Sequence, residues 1–193
     1  MKGVRCVLFM LCLVMIYYGC ATGSRSTTTD PPKKARKHFE KGVSLSSEGR
    51  YDEALSALKK AVRAYPDYGD AYYNMGIVYH TLGLGEEAVK AYERAIEINP
   101  RDAGAHNNLG NMYIRQTRLS DAIRELEEAV RINPDYERAR ENLALAYYMA
   151  KMYHRAWDQI SALNRLGVSP DAELIDAVAD ALKPETEDIK VVE

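Results

Sequence analysis

One interval governs this chain. Gly42, Gly76, Gly110 and Ala144 stand 34 residues apart, and so do Ala54, Ala88, Ala122 and Ala156. Ala61, Ala95 and Ala129 are followed in phase by Leu163, and Pro66, Pro100 and Pro134 keep the same step. Within each unit, apolar residues recur at helical spacing. After a polar or glycine break, such as Glu48-Gly49-Arg50 or Leu82-Gly83-Leu84-Gly85, they recur again. Each unit is therefore an antiparallel helix pair. The small residues of the Gly42 and Ala54 phases let the two backbones approach, and the Ala61 phase gives the next pair a surface to pack on. The prolines end each second helix because they cannot continue it and restrict the residue before them. A single pair cannot bury its apolar face, so stacking must supply the core.

Large residues follow four positions after each small one, at Leu45, Tyr79, Tyr113 and Tyr147, and Leu58, Tyr92, Leu126 and Ile160 fill the second helix. With the phrases EGRYDEALSALKKAVRAYPD and RLSDAIRELEEAVRINPD, this pattern resembles the tetratricopeptide repeat family from Ala35 to Gly167. The resemblance implies an all-α fold, a right-handed α-solenoid of about four repeats with a C-terminal capping helix. The repeats are expected over residues 35–68, 69–102, 103–136 and, in degenerate form, 137–168. The fourth has Ala144 for glycine, Leu163 for alanine and no proline in phase. Ser169-Pro170-Asp171 predicts a helix start with Ser169 as N-cap, and Ala172, Ile175, Val178, Ala179 and Leu182 form one apolar stripe. That capping helix occupies 169–183, and 184–193 is a loose tail whose Ile189, Val191 and Val192 are its only large apolar residues.

At the other end, Lys2 and Arg5 precede the apolar run Cys6 to Tyr18, which as a helix spans about 20 Å against a hydrocarbon core of roughly 30 Å. The run fits a signal peptide, residues 1–19, better than a membrane span. Gly19-Cys20-Ala21 resembles a bacterial lipobox, although Tyr17 stands where leucine is usual and Tyr18 where a small residue is usual. The resemblance implies cleavage before Cys20, acylation of Cys20, and export to the outer membrane facing the periplasm. An ordinary cleavable leader and a retained short anchor are the alternatives. Residues 20–34 are an acylated cysteine with a Ser/Thr/Gly/Pro-rich linker, 21–34, that reaches at most about 46 Å. Lys33, Lys34, Arg36 and Lys37 follow as a basic cluster, either a solvated helix start or a contact for anionic lipid.

Composition excludes other classes. Loss of the leader would leave 24 basic against 28 acidic residues, the wrong balance for a nucleic-acid binder. Cys6, Cys12 and Cys20 all precede the repeats, so the body carries no disulfide framework. His38, His80, His106 and His154 have no partner at helical spacing and read as packing or surface residues, so no metal site is expected. No nucleotide-binding, nucleophile-elbow, zinc-protease or calcium-loop motif occurs. No catalytic residue, cofactor or small-molecule substrate is expected, and the chain is not read as an enzyme. Paired acids on the second helices read as solvated faces with local ion pairs, for example Arg124 with Glu128.

The candidate site is the hollow made by the first helices of each pair. Its non-core positions are Tyr73, Asn74, Ile77 and His80, then Asn107, Asn108, Asn111 and Arg115, then Arg138, Asn142 and Tyr148. Asn74, Asn108 and Asn142 share one phase, where some family members hydrogen-bond a bound peptide backbone; the alternative is that they bridge neighbouring helices. The family's clamp for a C-terminal carboxylate is absent, since Phe39, Val43, Tyr73 and Ile77 occupy its positions. The expected function is a membrane-anchored adaptor that binds a protein or peptide partner. The architecture resembles repeat lipoproteins that help assemble the type IV pilus secretin. An adaptor for envelope hydrolases or proteases, and a secreted protein without lipid, are the alternatives.

Overall fold

Ala54, Ala88, Ala122 and Ala156 are all fully buried, and around them the chain folds into antiparallel helix pairs. The computed structural model describes residues 30–183. The signal peptide, Cys20, most of the linker and the tail lie outside the described residues. The helices of the described residues are α1 (Lys33–Ser47), α2 (Tyr51–Ala64), α3 (Gly69–Thr81), α4 (Gly85–Ile98), α5 (Ala103–Arg115), α6 (Leu119–Ile132), α7 (Glu137–Met149), α8 (Tyr153–Arg165) and α9 (Ala172–Ala181). Successive helices pair as α1 with α2, α3 with α4, α5 with α6 and α7 with α8, each pair stacks on the next, and α9 packs against α8. No strand occurs among the described residues. The all-α solenoid expected from the sequence is the fold observed.

The glycine phase is explained by contact. A Cβ on Gly42 would lie 2.7 Å from Leu58 Cγ, on Gly76 2.5 Å from the Tyr92 ring, and on Gly110 2.6 Å from Leu126 Cγ. Leu58, Tyr92 and Leu126 are each almost wholly buried in the space the missing methyl leaves.

The turn inside each pair is one device used four times. The amide three residues beyond the first helix reaches back to a carbonyl in its last turn: Arg50 to Leu45, Leu84 to Tyr79, Arg118 to Tyr113 and Met152 to Tyr147, at 2.8–2.9 Å. This closure requires a left-handed residue just before it. Gly49 and Gly83 supply it at φ 76° and 75°, whereas Thr117 and Lys151 occupy the same phase at 59° and 60°. The first three second helices end at an extended residue before proline, Tyr65, Asn99 or Asn133, whereas α8 ends at Leu166 in the right-handed helical region.

Three sequence expectations are corrected, one at the C-terminal end, one within α6 and one at the start. The last helix begins at Ala172, and the cap is Asp171, whose side chain accepts from the Glu173 amide; Ser169 and Pro170 precede it. An aspartate cap also complements the positive end of the helix dipole. Arg124 pairs with Asp121 at 2.9 Å and Glu125 at 3.0 Å, and Glu128 pairs instead with Arg131 at 2.5 Å. At the start, α1 begins at Lys33, inside the stretch read as linker.

Candidate functional site

The first helices α3, α5 and α7 meet along a cleft of about 460 Å³. Its walls carry Tyr73, Ile77 and His80 from α3, Asn107, Asn108 and Asn111 from α5, and Arg138 and Asn142 from α7. The structure thus gathers eight of the residues proposed from sequence. Asn74, Arg115 and Tyr148 are not part of the lining. Asn74 donates to Asp70 O of its own helix at 2.8 Å, and the Tyr148 ring rests against Tyr153. Tyr136 and Glu141 complete the rim without having been singled out. Tyr136 lies two residues before Arg138, in the loop that leads into α7, outside the first-helix positions from which the candidate site was drawn.

Asparagine side chains form a chain of hydrogen bonds through the floor. Asn111 Nδ2 donates to Asn142 Oδ1 at 3.5 Å, and Asn142 Nδ2 to Asn107 Oδ1 at 2.9 Å. Asn107 Nδ2 donates to Asn108 Oδ1 at 3.1 Å, and Asn108 Nδ2 to the Tyr73 hydroxyl at 3.4 Å. Asn107 was read as a non-core position; it is 1% exposed. Its burial is tolerated because both ends of its amide are bonded within the chain. The expected alternative of asparagines bridging neighbouring helices is therefore realised for Asn108 and Asn142. All the bonds run in one direction, so the Tyr73 hydroxyl is left with a hydrogen to donate and Asn111 with a carbonyl oxygen to accept. One end of the cleft floor offers a donor and the other an acceptor, which suits an extended backbone.

Gly104 makes room at the donor end, where an added Cβ would stand 3.2 Å from the Tyr73 hydroxyl. Burial pushes the Tyr73 phenol above its ordinary pKa, and burial does the same to Tyr92, whose ring lies 6.1 Å from that of Tyr73. Both therefore stay protonated donors near neutrality.

His106, read as an ordinary packing residue, has a partner that helical spacing did not reveal. Its Nδ1 lies 2.8 Å from Glu125 Oε2 and its Nε2 3.2 Å from Pro100 O. Two acceptors are both served only when the ring carries two protons, so the arrangement favours the imidazolium form. Burial opposes that charge, yet the hydrogen bonds to Glu125 and Pro100 raise its pKa overall. Burial would likewise raise Glu125, but bonds from His106 and Arg124 hold it below its ordinary value. One interval further on, Arg140 donates to Pro134 O at 2.8 Å and to Gln159 Oε1 at 2.9 Å, so the same joint is built from a permanent cation and a neutral acceptor. The pair secures α5 beneath the cleft and does not line it. Among the described residues, no cluster of His, Cys, Asp and Glu could hold a metal ion.

Stacked helix pairs with a polar, aromatic-edged cleft across their first helices define a helical-repeat scaffold for binding protein or peptide. The chain belongs to the tetratricopeptide repeat family, whose profiles match residues 39–103 and 91–124 as "Tetratricopeptide repeat" and 110–150 as "TPR repeat". Among solved structures it is similar to MamA 41-end from Desulfovibrio magneticus RS-1, with 21% identity over 69% of this chain and 75% of that one, TM-score 0.63. It is similar to Pseudomonas aeruginosa PilF, with 24% identity over 77% and 68% and TM-score 0.65. It is also similar to the first TPR domain of Spaghetti (RPAP3) bound to the HSP90 peptide SRMEEVD, with 23% identity over 60% and 91% and TM-score 0.58. At such identities the likeness is one of fold. Comparison with curated proteins gives no match.

Proposed function

We propose that this protein is a lipid-anchored adaptor of the bacterial envelope, held at the outer membrane through Cys20, that seats an extended segment of another protein in the Tyr73–Asn142 cleft. The observation that carries the cleft reading is the one-way asparagine chain, which leaves a backbone donor site at Tyr73 and an acceptor site at Asn111. The RPAP3 domain shows that a stack of this fold can carry a bound peptide. Support for the anchor comes from the sequence of residues 1–34, and no helix of the described residues is long and apolar enough to cross a membrane. The family is one of scaffolds, and the Thr81 hydroxyl, next to His80 in the cleft lining, donates to Ile77 O of its own helix at 2.9 Å.

Assembly of the type IV pilus secretin is the partner reading we favour, on the shared order of leader, cysteine, linker and repeats. The test is capture of purified secretin subunit by the full chain. Binding that is abolished by Ile77→Arg, with the fold retained, supports it. Capture of envelope hydrolases in place of secretin supports the alternative adaptor role, and binding unaffected by Ile77→Arg removes the cleft from the account.

A further inference from the structure

In the later helix pairs, three positions of the first helix are buried against the pair before. They are Ala71, Met75 and Val78 in α3, then Ala105, Leu109 and Met112 in α5, then Ala139, Leu143 and Ala146 in α7. In α1 the same phase holds Lys37, Lys41 and Ser44, all exposed. The end face of the stack is therefore polar by substitution at the interface positions themselves, as a terminal repeat requires. Solubility alone does not set the sign of the charge, however. The outward residues of the helix at the other end, α9, are Glu173, Asp176 and Asp180. The α1 end carries Lys33, Lys34, Lys37 and Lys41 with Glu40 as the only carboxylate of the helix, and Lys60 from α2 faces the same hollow as Lys37 and Lys41, whose one carboxylate, Glu53, is paired with Arg50. That hollow measures about 360 Å³. None of these five lysines enters the ion pairs of the described residues.

The geometry points to this lysine-bearing end face as a docking surface for an anionic bilayer. The chain reaches α1 directly from residues 21–32, which on the lipid-anchor reading above can hold the end face no further than about 40 Å from the membrane. The inference rests on that reading for its setting. A face with five lysines outside the ion pairs, and no carboxylate in the first turn of α1, complements anionic head groups. With the α1 end held down, the cleft across α3, α5 and α7 stands away from the lipid, open to a partner.

The test uses the full chain carrying Cys20→Ala, so that no acyl chain contributes, with vesicles of phosphatidylcholine alone or mixed with phosphatidylglycerol. The leader, with Lys2 and Arg5, contributes the same to parent and variant chains, so the readout is the ratio of the two partition coefficients compared between them. Lys33→Gln, Lys34→Gln, Lys37→Gln and Lys41→Gln together should lower that ratio by roughly fivefold per lysine, and added salt should lower it for the parent chain. Lys90→Gln with Lys151→Gln should leave it unchanged. An unchanged ratio in the quadruple variant, or an equal fall in the distant pair, overturns the proposal. So does lysine-dependent self-association without vesicles, which would assign the face to the acidic end of a second copy. Because Cys20 is already replaced, failure here is distinct from failure of the anchor, which fatty-acid labelling of Cys20 reads.

Discussion

Tyr113 and Glu93 meet across the boundary between two helix pairs, the tyrosine hydroxyl donating to Glu93 Oε1 at 2.9 Å. The contact recurs one interval later between Tyr147 and Glu127. One interval earlier the same two positions hold Lys59 and Tyr79, with the ammonium 5.7 Å from the ring centre. The joint is kept while its chemistry changes. Burial first, then the Glu93 bond, pushes the Tyr113 phenol up to about 12. A double-mutant cycle of Tyr113→Phe with Glu93→Gln should show a coupling of about 1 kcal/mol, measured by denaturant unfolding. Additive effects would mean that the joint is held by packing alone.

Thr117 adopts a backbone conformation that L-residues avoid, and a β-branched one most of all. Thr117→Gly should therefore stabilise the protein by about 0.5–1 kcal/mol, and Gly83→Thr should destabilise it by at least as much. Thermal midpoints of the two variants check the sign.

Gly110→Ala would place a methyl against Leu126 and 3.3 Å from the Ala122 carbonyl. A cost of about 1–3 kcal/mol is expected, read as a lowered denaturation midpoint. Ala144 is accommodated at the same phase opposite Ile160, so pairing Gly110→Ala with Leu126→Ile should recover part of the loss.

The His106–Glu125 pair fixes a pH window. A raised histidine contributes stability that is complete below its unfolded value near 6.5 and is lost as pH rises through the folded value. A lowered glutamate contributes stability present above its unfolded value near 4.5 and lost as pH falls through the folded one. The joint contribution is greatest between those two pH values. His106→Arg with Glu125→Gln copies the Arg140–Gln159 joint, and its unfolding free energy should lose the decline seen above pH 6.5.

The fold was legible because its instructions repeat. Gly42, Gly76 and Gly110 carry one message three times, and Tyr92 filling the notch of Gly76 is what that message means in space. The turn could have been read more fully, since Thr117 and Lys151 lie in phase with Gly49 and Gly83. The cleft was legible as a set of first-helix positions, but the links between its residues were not. Asn107 and Asn142 are 35 residues apart and meet only through stacking, while His106 and Glu125 meet across a hairpin. Helical spacing, the rule applied to both, describes neighbours on one helix and is silent on neighbours across two. Asn74 shows the converse, for it shares the phase of Asn108 and Asn142 yet bonds to its own helix, with Asp70 O within reach.

The direction of the asparagine chain makes its members unequal. Asn107→Ala strands the Asn142 amide and the Asn108 carbonyl and should cost about 1–3 kcal/mol of stability. Asn111→Ala removes only the terminal donor, so its cost should stay below about 1 kcal/mol while partner binding falls. Equal stability losses would contradict the chain as described.

Occupation of the cleft by another protein's polypeptide is tested most directly by site-specific photo-crosslinking in cells. A crosslinker placed at Tyr73, in the cleft, should give a discrete protein adduct that Ile77→Arg suppresses, while one placed at Leu84, outside the lining, should not. Adducts of equal yield from both positions, or none from Tyr73 while the protein is folded, would contradict it.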